Sequence, residues 1–134
     1  MEKKDKNTAP QRTESNRIIN APLVEIDLNQ SIVQIKNESN WMDKDHNSVT
    51  VFKSETMRIV LLGLKKNAEL KTHKAGGVIS VQVLQGKINF VTEQKSILIE
   101  KGQMIALHEN ILHSVLALEE TFFLLTLASN KQIE

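Results

Sequence analysis

Between residues 49 and 127 apolar residues come in short runs, and no run holds a helical period for the ten or more residues that a helix would need. The runs are VTVF with its flanks (49–53), MRIVLLGL (57–64), GVISVQVL (77–84), KINFV (87–91), SILIE (96–100), QMIAL (103–107), ILHSVLAL (111–118) and TFFLLTL (121–127). Their separators, KSET, KKNAELKTHKAG, QG, TEQK, KG, HEN and EE, carry turn chemistry. Eight short β-prone runs at this spacing predict an all-β sandwich or barrel. Gly86, closing the QG turn, can take the positive φ that a β-carbon opposes. Period two places Ile79, Val81 and Val83 on one face of their strand, and Phe122 and Phe123 on opposite faces of theirs.

Upstream, RIINAPLVEIDL and SIVQIKNE alternate in part, which predicts one or two further N-terminal strands around residues 22–36. ESNWMDKDHN is polar around one Trp and reads as a loop or short helical turn. Residues 1–17 contain almost no apolar side chain besides Met1 and Ala9, so they cannot offset the entropy of ordering and read as a flexible tail. The folded unit is then a single domain over 18–134.

The chemistry-bearing residues narrow the picture further. His73 precedes an apolar strand that ends at Gly86; Gly102 precedes His113 by eleven residues. This spacing resembles the paired motifs of the cupin superfamily, G-x5-H-x-H-x3-E-x6-G and G-x5-P-x-G-x2-H-x3-N. His73 falls on the leading histidine of the first motif and Gly86 on its closing glycine, while Gly102 and His113 fall on the opening glycine and the histidine of the second. Asn67 stands for the first motif's opening glycine, Ala75 for its second histidine and Ile79 for its glutamate. His108, Asn110 and Ala117 stand for the second motif's proline, glycine and asparagine. The resemblance implies a jelly-roll β-barrel of about eight core strands, similar to small RmlC-like bacterial cupins, plus one or two N-terminal strands. It also implies a site inside the barrel, lined by His73, Ile79, Val81, Val83, His108 and His113.

Cupin metals are held by three histidines and a carboxylate, and here only His73 and His113 match; His108, near the barrel mouth, is the candidate third imidazole. The divalent ions compatible with such a set are zinc, nickel, iron and manganese, and the leading expectation is that none is bound tightly. Lys71 and Lys74 read as a solvated pair turned away from His73. Ser114, adjacent to His113, points to the opposite face, which argues against a Ser-His pair. No residue is assigned a catalytic role.

Composition removes other classes. There is no Cys, so disulfides, thiolate nucleophiles and Cys-ligated zinc are absent. Seventeen Lys+Arg against 16 Asp+Glu give a net charge of +1, and aromatic residues make up 4%, so neither a phosphate footprint nor a base-stacking platform is present. No apolar stretch is long enough to span a bilayer and no secretion signal is apparent, so a cytoplasmic location is expected, without membrane or nucleic-acid partners. The apolar outer faces of GVISVQVL and MRIVLLGL predict burial against a second subunit, a homodimer. Three functional readings follow: a module that binds or senses a small metabolite in its cavity, a metal-assisted enzyme of dioxygenase or isomerase type using His73, His113 and His108, and a non-catalytic dimeric scaffold.

Overall fold

The computed structural model describes residues 11–12 and 17–131. In chain order these form β1 (Gln11–Arg12), β2 (Ile18–Asn20), α1 (Leu28–Asn37), α2 (Ser39–Asp43), β3 (His46–Lys53), β4 (Met57–Leu64), β5 (Glu69–His73), β6 (Val78–Gln85), β7 (Lys87–Thr92), β8 (Ser96–Glu100), β9 (Met104–Leu107), β10 (His113–Ala117) and β11 (Thr121–Ala128). A five-stranded antiparallel sheet, β3-β4-β11-β6-β9, faces a four-stranded one, β5-β10-β7-β8, and β1 pairs with β2 separately. This is the expected all-β jelly roll, and each of the eight runs from 49 to 127 is a strand.

The inner core follows from strand alternation. Ile79, Val81 and Val83 of β6, Phe123 of β11, Ile88 and Phe90 of β7, Ile99 of β8 and Val115 and Ala117 of β10 form one buried cluster between the sheets. The side is sealed at the β6–β7 turn, where Gly86 has φ 96° and a β-carbon would lie 2.4 Å from the Glu120 carbonyl oxygen. Buried Thr121 closes the same corner: its Oγ1 accepts from the Lys87 N–H at 3.0 Å and donates to the Glu119 carbonyl at 2.8 Å.

Two local expectations are corrected. SIVQIKNE, expected as an N-terminal strand within 22–36, lies mostly in helix α1. Asp27 caps it, its carboxylate accepting from the Gln30 N–H at 3.2 Å, and Ser31, Ile32 and Ile35 form the buried stripe of one helical face. Its β-branched residues suggested a strand, but the spacing of the buried ones is helical. Asn47 of β3 ties down the far end, donating to the Ile35 carbonyl at 3.2 Å and to Glu38 at 2.9 Å. Second, ELKTH, read as part of a turn, is the edge strand β5; it carries a single apolar residue, so no alternation announced it. The tail expected over 1–17 falls outside the described residues for 1–10 and 13–16, and Gln11–Arg12 pairs with Ile18–Asn20.

Helix α1 also changes what covers the large sheet. Ile32 and Ile35 of α1 and Trp41 of α2 pack with Val49, Val51, Leu61 and Phe122 into a second core, joined by Ile59, Leu84 and Leu124. Of the outer apolar positions of MRIVLLGL and GVISVQVL, expected to meet a second subunit, Leu61 is buried in this second core and Ile59 and Leu84 partly so, while Met57 and Val78 stay exposed. Fully burying each aliphatic side chain contributes about 1.5–3 kcal/mol. Phe122 and Trp41 pack with centroids 5.6 Å apart and rings tilted by 32°, over Gly63, whose missing side chain leaves them room: a β-carbon there would sit 2.7 Å from Phe122 Cε1 and 3.1 Å from Trp41 Cζ3.

Gly63→Ala is expected to lower unfolding free energy by about 1–3 kcal/mol in urea titration, since the fully buried Phe122 ring cannot step aside. In a Phe122→Leu background the same change should cost less, and an equal cost in both would show that the ring is not what Gly63 accommodates.

Candidate functional site

A cavity of about 530 Å³ lies between the two sheets. Leu62 of β4, Ile79 and Val81 of β6 and Phe123 and Leu125 of β11 form one wall; Leu70 of β5, Phe90 of β7 and Val115 of β10 form the other. His113 is set into this apolar wall, and the exposed lining residues, His46, Glu69, Lys71 and His73, come from the edge strands β3 and β5. Val83, expected to line the cavity, is instead packed solidly in the core beside it, with no exposed surface.

Backbone pairing brings the two histidines together. His113 opens β10, and in the β10–β5 ladder it stands directly opposite His73. The rings lie 4.4 Å apart between centroids and are tilted by 60°. The His113 ring also stacks on Phe90, at 5.3 Å and 13°. Each Nδ1 approaches a backbone carbonyl of its own chain segment, Lys71 at 2.6 Å for His73 and Ile111 at 2.9 Å for His113. A carbonyl oxygen can only accept, so both Nδ1 atoms donate, and in the neutral ring Nε2 keeps its lone pair. Among the described residues neither Nε2 has a hydrogen-bond partner.

The two histidines differ in exposure. His113 is 4% exposed, whereas His73 is open to solvent. Burial holds the His113 imidazole below the ordinary histidine range; the hydrogen bond to Ile111 opposes this and nearby His73 adds to it. His113 is therefore a neutral acceptor facing an apolar space.

His108 is not brought to this pair. Its side chain is 86% exposed just past β9 and lies 3.5 Å from Glu109. The three-imidazole arrangement is therefore not assembled, and among the described residues no three His, Asp or Glu side chains gather closely enough to hold a metal ion. Ile79 and Ala75, which stand where the resemblance has a carboxylate and a second histidine, supply packing instead. Lys71, expected to turn away, lines the mouth with His73; the β5–β10 register shifts between these residues and Leu70, so Leu70 and Lys71 both reach the cavity. The same period on β10 and β11 could have named Val115 and Leu125, two residues from His113 and Phe123.

The backbone of the motif survives where its ligands do not. Asn67 and Asn110, each aligned with a glycine, have φ of 73° and 65°. Asparagine is among the side chains that best tolerate this left-handed region. Asn110 then donates its N–H to the Ala75 carbonyl at 2.9 Å, and Asn67 to that of Ala117 at 2.8 Å, pinning the loops on either side of the site.

No family model matches the chain and no curated protein matches it in sequence. Solved structures do match. A conserved Streptococcus pyogenes protein of unknown function, SPY1581, superposes with a TM-score of 0.67 at 24% identity over 87% of this chain and 94% of that one. An RmlC-like cupin protein from Desulfovibrio desulfuricans gives a TM-score of 0.57 at 27% identity, over 62% of this chain and 81% of that one. Salicylate 1,2-dioxygenase from Pseudoaminobacter salicylatoxidans gives 0.62 at 16% identity, over 75% of this chain but 31% of that one. The barrel is thus shared by enzymes and by proteins of unknown function, and the likeness establishes the fold rather than a reaction.

Because folded His113 binds its proton less tightly than the unfolded ring, whose pKa is about 6.5, the unfolded state takes up protons first as pH falls. The contribution of neutral His113 to stability is complete above that value and is lost as pH falls toward the folded pKa. Urea titrations from pH 8 downward should show this loss, and His113→Phe should remove that part of it; an unchanged slope in the variant would contradict the assignment.

Proposed function

We propose that this protein, whose fold is that of the cupin superfamily, binds a small and mainly apolar metabolite in its barrel cavity, with His73 and His113 as polar handles. The observation that carries this reading is the cavity itself: about 530 Å³, walled by aliphatic and aromatic side chains, with one buried imidazole presenting an unpartnered nitrogen. Pockets of a few hundred Å³ with an apolar lining and few polar groups are the usual form of small-molecule sites.

A metal-assisted enzyme is the second reading. It is favoured by the two Nδ1 donors held on backbone carbonyls, the arrangement that orients histidine ligands at metal centres. The donor set does not fit a complete site. Two imidazoles fall short of the three or four protein ligands that a structural or catalytic ion takes.

Calorimetric titration with toluene, indole and cyclohexanol tests the first reading. At least one should bind saturably with a negative heat-capacity change, and Leu62→Trp, which fills the cavity from β4, should abolish it. Failure of all three, or binding unaffected by the variant, would count against a cavity ligand. The donor count has its own test, in zinc and nickel titrations against a chelating dye. Ile79→Glu should bind either ion more tightly than the parent, and adding His113→Ala should cancel the gain; tight stoichiometric binding by the parent would overturn the incomplete-site argument.

A further inference from the structure

We infer that the cavity selects a neutral ligand headed by a hydroxyl donor, an alcohol or phenol on an apolar body, over the matching carboxylate. This rests on the binding function proposed above and specifies its chemistry. Both ring nitrogens Nδ1 are committed as donors to backbone carbonyls, at 2.6 and 2.9 Å, so the site offers Nε2 lone pairs from rings 4.4 Å apart. A ligand hydroxyl donates to such a nitrogen. A carboxylate brings only acceptors, which would face the Nε2 lone pair of His113 with no proton between them.

Charge at the mouth does not reverse this preference. Lys71 would attract an anion, but Glu69, two residues away on the same strand, also lines the mouth, and both are exposed and screened by solvent. Deeper in, His113 is the polar group, and its 4% exposure makes an unmade hydrogen bond costly once an apolar ligand displaces solvent. Phe90, which also lines the cavity, stacks on the His113 ring at 5.3 Å.

Three probes of matched shape decide the matter at pH 7.5: 4-ethylphenol, ethylbenzene and 4-ethylbenzoate. The phenol should bind about three- to tenfold more tightly than ethylbenzene, the gain of one neutral hydrogen bond, and more tightly still than the benzoate. His113→Phe, which keeps an aromatic ring beside Phe90, should erase the phenol's advantage over ethylbenzene. Nitrogen-15 NMR of the histidines in the unaltered protein gives an answer that does not depend on the variant folding. His113 Nε2 should resonate as an unprotonated acceptor and shift on adding phenol but not ethylbenzene. Equal binding of phenol and ethylbenzene, or preferred binding of the benzoate, would overturn the donor preference while leaving the cavity function standing. Failure of all three probes to bind would overturn both.

Discussion

A sheet that is apolar on both faces must be covered on both, and the central strands β4, β11 and β6 impose that constraint here. Alternation sends Phe123, Val81 and Ile79 inward and Phe122, Leu61 and Leu84 outward. The outward set packs with α1 and α2, with Gly63 leaving room for the tilted Phe122 and Trp41 rings. The inward set is met by the smaller sheet, but incompletely: Ile88, Ile99 and Ala117 pack solidly near the Gly86 corner, while a cavity remains beneath the histidines.

The polar part of the site depends on an edge strand. Pairing of β5 with β10 sets His73 against His113, and the carbonyls of Lys71 and Ile111 fix which nitrogen of each ring faces away from the backbone. Asn67 and Asn110 hold the flanking loops in the left-handed turns that the motif otherwise builds with glycine. The barrel has the cupin fold, and Ile79 and Ala75 contribute to its apolar packing. What remains is an aliphatic chamber with a neutral imidazole in its wall, a shape and polarity suited to recognition of a small molecule.

Much of this was legible in the residues, for reasons that also explain the misses. The eight apolar runs were readable because each half-buried strand repeats every second residue, and the glycine and histidine spacing located both motifs. β5 escaped because Glu69, Lys71 and Thr72 face solvent at an edge, leaving Leu70 alone to signal a buried face. α1 escaped because Ile32, Val33 and Ile35 are β-branched, and local preference pointed to a strand until the Asp27 cap and the tertiary contact with β3 and β4 decided for helix. His108 was placed near the mouth by analogy with the motif. Only the path of the loop after β9, which leaves its ring in solvent beside Glu109, shows that it is not a third ligand. The positive φ of Asn67 and Asn110 was within reach of the sequence, since asparagine is a common substitute for glycine in that conformation.

The central claim is that an apolar, accessible chamber lies beneath the histidine pair, and it can be tested without knowing the natural ligand. Apolar cavities of this kind take up xenon, so methyl NMR under increasing xenon pressure reads the chamber directly. Saturable shifts at the methyl groups of Ile79, Val81, Val115 and Leu125, with those of Ile32 and Ile35 in the outer core unmoved, are the predicted result. Shifts that grow without saturation, or that spare the four cavity residues, would contradict it.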